Sequence, residues 1–229
     1  MGLDNQKIRV GFQGEPGAFS EAAAVQLLGE DITTVPRPTF DSTFRAITEG
    51  AADALLVPVE NSLAGSVVRA YDLLLESDLT ITAETILPIE LHLIACPGTS
   101  LGEVRSVASH PMALAQCECF FGKHPQLKRM PAEDTAGSVR EVLSRNDRSA
   151  AAIAGRHAAE HYRGIILAES IQDNTENFTR FVLLRPAQQT SGKAIPEARK
   201  MSLAMHLAHR PGALLASLEP FARHGVNLL

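Results

Sequence analysis

The sequence lacks tryptophan, and aromatic residues make up only 5% of its 229 residues. Proteins that bind single-stranded nucleic acid stack the bases on aromatic side chains, so this class of protein is not expected. A formal net charge of -5 likewise gives no general attraction for nucleic acid. The same charge repels small anions from the molecule as a whole. Any anion-binding site must therefore be built locally, from helix N-termini and one or two fixed cations.

Cysteine is scarce too, with three residues, and an odd number in a long chain argues against a disulfide framework. Long apolar runs are also missing. No stretch reaches the length of a membrane span, and Met1 to Arg9 does not contain the apolar core of a signal peptide. These absences predict a cytoplasmic protein without a membrane partner.

What the sequence does contain is a regular alternation of short apolar runs and amphipathic segments. This order predicts the α/β class with a mostly parallel sheet. The long apolar–polar alternation from Leu79 to Ala95 predicts extended chain that crosses from one lobe to another. A second α/β set follows, and Asn177 to Leu184 predicts a strand that returns to the first lobe. The expected architecture is two lobes with a cleft between them.

These patterns divide the chain into a large domain over residues 1–187, a polar linker over 188–199 and a further segment over 200–229. Within the large domain, the first lobe takes residues 1–85 and 170–187, and the second takes 86–169. In the last segment, Met201 to Ala208 predicts a strand and Gly212 to His224 a helix.

Small polar residues open the element that follows several predicted strands: Ser20, Asn61, Ser62, Ser109 and Thr135. In open α/β sheets, ligands bind outside the carboxyl ends of the strands, where free backbone N–H groups favour carboxylates and phosphates. Taken singly, each residue is more simply a helix cap. Their occurrence in two facing lobes favours a shared anion cleft.

Five motifs occur around these turns in a fixed order: Gly14-Glu15-Pro16-Gly17-Ala18-Phe19-Ser20, Pro58-Val59-Glu60-Asn61-Ser62-x-x-Gly65, Ser109-His110-Pro111-x-Ala113-Leu114-Ala115-Gln116-Cys117, Asp134-Thr135-Ala136 and Asn177-Phe178-Thr179-Arg180-Phe181. Together they resemble the prephenate dehydratase family, with the related arogenate dehydratases, over residues 7–186. Residues 200–229, which contain Gly212-Ala213-Leu214-Leu215, are similar to the start of the ACT regulatory domain of this family and supply an incomplete version of it.

The resemblance implies a two-lobed, periplasmic-binding-protein-like catalytic domain. It also implies the decarboxylating dehydration of the dianion prephenate to phenylpyruvate, in phenylalanine biosynthesis, without a metal or an organic cofactor. Arogenate, which would give phenylalanine directly, is the alternative substrate. A homo-oligomer is implied as well. Phenylalanine is the implied effector, through Gly212, Ala213 and Leu214, with weak control because the ACT segment is incomplete.

The catalytic residues that the resemblance implies are Thr179, Arg180, Glu60 and Asn61. The Thr179 hydroxyl would donate a hydrogen bond that strengthens as charge develops on the leaving oxygen. Arg180 suits a substrate carboxylate, because its fork matches that geometry. In a regular strand, however, Thr179 and Arg180 point to opposite faces. Arg180 can then face the substrate only if the chain bends at this point.

Further residues match the substrate-binding positions of the family motifs: Ser20, Ser62, Gly65, Ser109, His110, Gln116, Thr135, Ala136, Asn177 and Phe181. Two of them have an equally simple structural interpretation. His110 is alternatively a helix cap. Gln116 lies inside a predicted helix and is alternatively a local hydrogen-bonding residue.

Three other functions are weaker interpretations of the sequence. His157, Glu160 and His161 have the spacing of an inverted zinc-protease motif, but the predicted helix is short and no third protein ligand is indicated. The glycines after the first strand do not have dinucleotide-loop spacing, and Pro16 interrupts them. A two-lobed protein that only binds a small carboxylate remains the alternative from another functional class.

Overall fold

The structure, a computed structural model, describes residues 7–187 and 200–228. Its contacts divide the chain into two compact units, Met1–Ser191 and Gly192–Leu229, which are described separately below. The predicted linker, residues 188–199, lies outside the described residues. Among those residues, no helix combines the length and the apolar character that crossing a membrane requires.

The strands of the first unit are β1 (Ile8–Gln13), β2 (Ile32–Arg37), β3 (Ala54–Asn61), β4 (Gly65–Ser66), β5 (Leu79–Pro88), β6 (His92–Ala95), β7 (Ser106–Ser109), β8 (Lys128–Pro131), β9 (Ala150–Ala154), β10 (Ile165–Ala168) and β11 (Phe178–Pro186). Its helices are α1 (Phe19–Leu28), α2 (Phe40–Thr48), α3 (Val68–Glu76), α4 (Pro111–Ala115), α5 (Glu118–Lys123), α6 (Thr135–Arg145) and α7 (Arg156–Tyr162), with a short 3-10 turn at Leu101–Glu103.

Two β-sheets organise this unit. The first has the order β2-β1-β3-β11-β5, with β4 paired to β3, and the second has the order β10-β6-β9-β7-β8. β1 is parallel to β2 and β3, and β7 is parallel to β8 and β9. This alternation of strands and helices confirms the predicted two-lobed α/β fold.

The prediction of mostly parallel sheets is wrong. β11 runs antiparallel to both β3 and β5, and β6 runs antiparallel to β9 and β10. The reason is topological. The chain leaves the first sheet along β5, which has the same direction as β3. The strands by which it enters a sheet after a crossing, β6 and β11, run against both of their neighbours.

The two crossings between the sheets are hydrogen-bonded to each other. The Ile89 N–H donates to the Asn177 carbonyl, and the Ile171 N–H donates to the Leu91 carbonyl, each at 2.8 Å. The Leu91 N–H donates to the Gln172 side chain at 2.9 Å. The predicted crossing near residues 79–95 is thus confirmed, although most of this stretch is strand β5 and only 89–91 connects the sheets.

The main hydrophobic core is continuous between the lobes. It contains Val10 and Leu56 from the first sheet and Leu93, Val107 and Ile153 from the second, all fully buried. Two smaller clusters fill the outer faces of the two sheets. Burying an aliphatic side chain of this size contributes about 1.5–3 kcal/mol, so the shared core holds the lobes as one unit.

The carboxyl edges of the two sheets face each other. Gly17, in the turn after β1, lies so close to α7 that a Cβ at this position would be 2.7 Å from the Ala158 Cα. In the same region Glu15 forms an ion pair with Arg140 of α6, at 2.6 Å between Oε2 and Nη1. The turns that carry the predicted site residues are therefore brought to a common region.

Two helices differ from what their local sequences suggest. The N-cap of α2 is Thr39, which forms a capping box with Ser42, whereas Asp41 lies inside the first turn. The predicted helix that contains Gln116 is broken at this residue into α4 and α5. The Asp173 carboxylate accepts from the first two backbone N–H groups of α5, which gives that helix a separate start.

The second unit contains one helix among its described residues, α8 (Ala213–Arg223), which begins after Gly212 at φ +79°. The strand predicted over 201–208 is not present. A strand requires pairing with a neighbouring strand, and no such pairing involves these residues in the described part of the chain. The apolar side chains of Met201 and Leu215 are 82% and 74% exposed.

Candidate active site

Thr179 lies where the start of β11 meets the end of β3, directly opposite Asn61 in the antiparallel register. The Asn61 Nδ2 donates to the Thr179 Oγ1 at 3.0 Å and to the Phe178 carbonyl at 3.1 Å. Thr179 is only 8% exposed. The two residues form a fixed amide–hydroxyl contact at the sheet edge where α/β proteins bind ligands.

The turn after β3 anchors the Asn61 side chain. Its Oδ1 accepts from the backbone N–H groups of Leu63 and Ala64, at 2.9 and 2.8 Å. Asparagine forms such side-chain turns readily, which explains its position where the strand reverses. Gly65, at φ +81°, pairs with Asn61 as β4 begins. Gly65 therefore contributes backbone conformation to the site.

The predicted site residue Ser62 fastens this turn to β11. Its hydroxyl donates to the Glu176 carbonyl and accepts from the Phe178 N–H, both at 2.9 Å. The Ser62 backbone N–H also donates to the Phe178 carbonyl at 2.9 Å. With both hydroxyl functions engaged, Ser62 holds the segment that carries Thr179.

Asn177 and Gln116 extend the polar cluster into the second lobe. Asn177 is 1% exposed, accepts from Asn61 at 2.8 Å and donates to the Gln116 Oε1 at 3.2 Å. Gln116 lies at the break between α4 and α5, where its carbonyl accepts from the Asp173 N–H at 2.7 Å. No local sequence signal indicates this break. An Asp distant in sequence caps α5, and only tertiary structure brings it there.

Arg180 lies on the opposite face of β11 from Thr179. The strand is continuous through both residues, and its shift in register against β3 comes only after Arg180. The guanidinium forms an ion pair with Glu84 of β5, with Nη2 and Nε at 2.7 and 2.8 Å from Oε2. Glu60 is exposed and opposite Arg180 in the register. This is the regular-strand case, and it does not support a contact between Arg180 and the ligand of Thr179.

The prediction that Phe181 lines the cleft is corrected. Its side chain is 2% exposed and belongs to the main core. Phe181 does share a strand face with Thr179, as expected from the two-residue period. Along this face the environment changes from the cleft at Thr179 to the hydrophobic core at Phe181, so Phe181 packs beneath the site.

Ser109 and His110 end β7 and begin α4. The Ser109 hydroxyl is fully buried and donates to the Ile153 carbonyl at 2.6 Å. His110 is the N-cap of α4, and its Nδ1 accepts from the Met112 N–H at 3.2 Å. Both side chains thus have local structural partners, and the capping interpretation of His110 is confirmed.

Helix α6 begins one residue earlier than predicted. Its N-cap is Asp134, whose carboxylate accepts from the Gly137 N–H at 2.5 Å, so Thr135 is the first helical residue and not the cap. Within residues 7–187, the backbone N–H groups of Thr135 and Ala136 have no hydrogen-bond partner in the protein. Two donors at a helix N-terminus form a suitable anion-binding group.

Ser20 is not a helix cap either. Helix α1 starts after Ala18, which makes no side-chain cap, and Ser20 is buried inside the first turn. The His157 and His161 side chains line an open groove of about 340 Å³ between α1 and α7, together with Glu21 and Glu160. In the described residues, no group of three or more His, Cys, Asp or Glu side chains is arranged to hold a metal ion.

Cys117 lies beside the helix break and is fully buried. Burial raises the pKa of its thiol to about 12, with the Asp173 carboxylate adding to this effect. A thiol that stays protonated is a poor nucleophile. Cys117 is therefore a packing residue of this region.

The fold and the cluster define a class of protein: a two-lobed α/β domain with an amide–hydroxyl site at the facing sheet edges. The sequence profile of the prephenate dehydratase family matches residues 10–189. The chain belongs to this family, as its motifs predicted.

Similar proteins come from plants and bacteria. Arogenate dehydratase/prephenate dehydratase 1 of Arabidopsis thaliana is 38% identical over 98% of this chain and 56% of its own length. A bifunctional chorismate mutase/prephenate dehydratase of Aquifex aeolicus is 36% identical over 97% of this chain and 60% of its own length. The chain thus spans somewhat more than half the length of these relatives.

Solved structures give the same picture. Prephenate dehydratase from Arthrobacter aurescens, in complex with L-Phe, has a TM-score of 0.81 and 31% identity, covering 97% of this chain and 74% of its own. A protein described as GqqA, a quorum quenching acylase, has a TM-score of 0.79 and 30% identity, covering 96% and 79%.

Proposed function

We propose that this chain catalyses the decarboxylating dehydration of prephenate to phenylpyruvate, carbon dioxide and water. The observation that carries the proposal is the Thr179 hydroxyl, held at the facing sheet edges by Asn61. Because Asn61 donates to the Thr179 oxygen, the hydroxyl proton is left to donate elsewhere. A donor fixed at that point suits an oxygen that leaves as hydroxide.

The reaction needs little more from the protein than orientation and charge stabilisation. The bond between the ring and its carboxylate breaks, and its electron pair enters the ring as the ring hydroxyl departs. Thr179 donates a hydrogen bond to the departing oxygen, which takes its proton from solvent to become water. Correct orientation of the reacting bonds accounts for a large part of such rate enhancements.

Backbone and amide donors of the second lobe are the proposed partners of the substrate carboxylates. The position of the free Thr135 and Ala136 N–H groups at the start of α6 supports their proposed role as carboxylate-binding donors. The hydrogen bond that links the half-buried Gln116 to Asn177, and through it to Thr179, supports the same role for the Gln116 amide. Asp134 is already engaged with the helix backbone, which lessens its repulsion of a dianion.

Arogenate is the alternative substrate, since the Arabidopsis relative is named for both activities. Prephenate and arogenate differ by a keto and an amino group. The test is to incubate the purified chain with each compound and to quantify phenylpyruvate and phenylalanine by chromatography. Phenylpyruvate formed from prephenate is the expected result. Tight binding of prephenate without turnover would instead favour a carboxylate-binding protein.

An acylase activity is the other outcome to measure, because one similar structure carries that description. The described site gives it little support. The hydroxyls of Ser62 and Ser109 donate to backbone carbonyls and not to a general base. A nucleophilic serine requires such a base within hydrogen-bond reach.

The domain organisation and partners belong to the same proposal. We assign the first lobe to residues 1–85 and 170–187 and the second to 86–169, which the strand membership of the two sheets supports. Phenylalanine is the proposed effector of the second unit, at Gly212, Ala213 and Leu214. The L-Phe complex of the Arthrobacter relative supports that choice of ligand. A homo-oligomer in the cytoplasm is the proposed physiological form.

A further inference from the structure

A row of three side-chain amides connects the two lobes. Asn61, at the end of β3, donates to Asn177, which precedes β11, at 2.8 Å. Asn177 donates in turn to Gln116, at the helix break of the second lobe, at 3.2 Å. An amide has a donor end and an acceptor end, so the orientation of each one fixes the orientation of the next.

The direction of this row is set by the protein backbone. The N–H groups of Leu63 and Ala64 both donate to the Asn61 Oδ1. Backbone N–H groups can only donate, so the Asn61 amide cannot be reversed without losing both bonds. Its Nδ2 must therefore face Thr179 and Asn177.

Asn177 passes this direction on. With its oxygen facing Asn61, its Nδ2 must face Gln116, and Gln116 must present its oxygen in return. Within residues 7–187 and 200–228 the Gln116 NH₂ group then has no acceptor, so it is available to a ligand. Asn177 is 1% exposed and both ends of its amide are occupied by protein groups. Its side chain is thus poorly suited to contact the substrate itself.

We propose that Asn177 is a positioning residue that keeps the Gln116 NH₂ group directed toward an anionic substrate. The inference rests on the proposed function and adds a residue role to it. If Gln116 were reversed, its carbonyl oxygen would face the substrate carboxylates. A donor to a charged group would then be replaced by a repulsive acceptor.

The test compares Asn177→Asp with Asn177→Leu, two side chains of similar size. A carboxylate at position 177 still accepts from Asn61 but has no proton for Gln116. Gln116 then gains a bond by reversing its amide. When the same carboxyl is protonated at lower pH, its O–H can donate to Gln116 and restore the original direction. Burial raises the pKa of a carboxyl, which brings this change toward the accessible pH range.

The ratio of kcat/KM between variant and wild type is measured with prephenate from pH 8 to pH 5.5. For Asn177→Asp we expect a loss of about tenfold or more at pH 8, in keeping with a lost hydrogen bond to a charged group. The loss should diminish as pH falls. Asn177→Leu should show a loss that does not change with pH. A pH-independent ratio for Asn177→Asp, or wild-type activity in both variants, would overturn the proposal.

A second readout does not depend on turnover. The Gln116 side-chain NH₂ signals are identified in a ¹⁵N-edited NMR spectrum by their absence in Gln116→Glu. In Asn177→Asp at pH 8, one of these protons should be held by the carboxylate and exchange with water more slowly than in wild type. At pH 5.5 its exchange should return toward the wild-type rate. Identical exchange in both proteins at both pH values would contradict the proposed direction, even if neither substrate is turned over.

Discussion

At the scale of single residues, the site depends on how each polar atom is used. The Thr179 oxygen accepts from Asn61, whereas the hydroxyls of Ser62 and Ser109 donate to backbone carbonyls. Three similar hydroxyls at the sheet edges therefore have different chemical capacities. Of these three, only the Thr179 hydroxyl has no acceptor for its proton among the residues that the structure describes.

This difference predicts the effect of removing the Thr179 hydroxyl. Thr179→Ala should lower kcat for prephenate by about 10²–10³, the range seen when a donor to a developing negative charge is lost. The dissociation constant of prephenate, measured by calorimetry, should change much less, because the bond strengthens only in the transition state.

Thr179→Ser is the matched control, since it keeps the hydroxyl and removes only a methyl group. Thr179→Ser should retain most of the activity that Thr179→Ala loses. Equal losses in the alanine and serine variants would assign the effect to packing, and unchanged turnover in Thr179→Ala would remove Thr179 from the mechanism.

At the scale of elements, the turn after β1 requires glycine for two reasons. Gly17 has φ +83°, a conformation that side chains disfavour, and a Cβ there would lie 2.7 Å from the Ala158 backbone. Gly29 at the end of α1 has almost the same φ, +82°, but has nothing within 4 Å. The two glycines separate conformational strain from steric overlap.

Gly29→Ala should therefore reduce the unfolding free energy by about 1–3 kcal/mol, because its backbone, at φ 82° and ψ -179°, has a conformation that is nearly restricted to glycine. Gly17→Ala should cost about 1–3 kcal/mol more, because α1 and α7 must also move apart. Urea unfolding of the two variants measures this difference. Equal costs for both would show that α7 yields freely at this contact.

The start of α6 differs by one residue from the predicted start, and this difference changes the role of Thr135. Asp134 and Thr135 are adjacent and both are good N-cap residues. The chain leaves β8 at Pro131, and this exit places Asp134 at the cap and Thr135 inside the helix. The consequence is chemical, because Thr135 then offers its backbone N–H and not its side chain.

At the scale of the whole unit, the paired crossings hold the lobes together, and His92 stands at their start. It is 1% exposed, and its Nδ1 accepts from the Ser170 N–H at 3.1 Å. Burial lowers the pKa of His92 from its ordinary value of 6.5, and the Arg156 charge lowers it further, against smaller opposing effects of Glu90 and Glu169. The folded protein therefore disfavours the protonated form of His92.

A histidine whose pKa is lowered in the folded state makes the protein less stable as the pH decreases. Below pH 6.5 the unfolded chain takes up a proton that folded His92 does not, until the lowered pKa is reached. The unfolding free energy should drop over that window by up to about 1.4 kcal/mol per pH unit. Urea unfolding between pH 7.5 and pH 5.5 measures the slope.

His92→Asn isolates this contribution, because the asparagine oxygen can accept from Ser170 and does not titrate. Its stability should depend less on pH than that of the wild type. His157→Asn, at an exposed position on α7, is the control for removing a histidine as such. The same pH slope in His92→Asn and wild type would exclude His92 as the cause.

The sequence by itself determined the α/β class, the two lobes, the crossing near residues 79–95 and the family. These depend on apolar periodicity and on local motifs, which are written in contiguous residues. The sequence also predicted that Thr179 and Arg180 point to opposite faces of a regular strand, because the alternation of side chains is a property of the strand itself.

Only the tertiary structure decided how the site is assembled. The antiparallel position of β11, the helix break at Gln116 and the direction of the amide row all depend on partners from distant parts of the chain. The orientation of every amide in such a row is set at one end, by a group that can only donate or only accept a hydrogen bond. Here that role falls to the backbone N–H groups after Asn61, and their effect reaches Gln116 only through a folded Asn177.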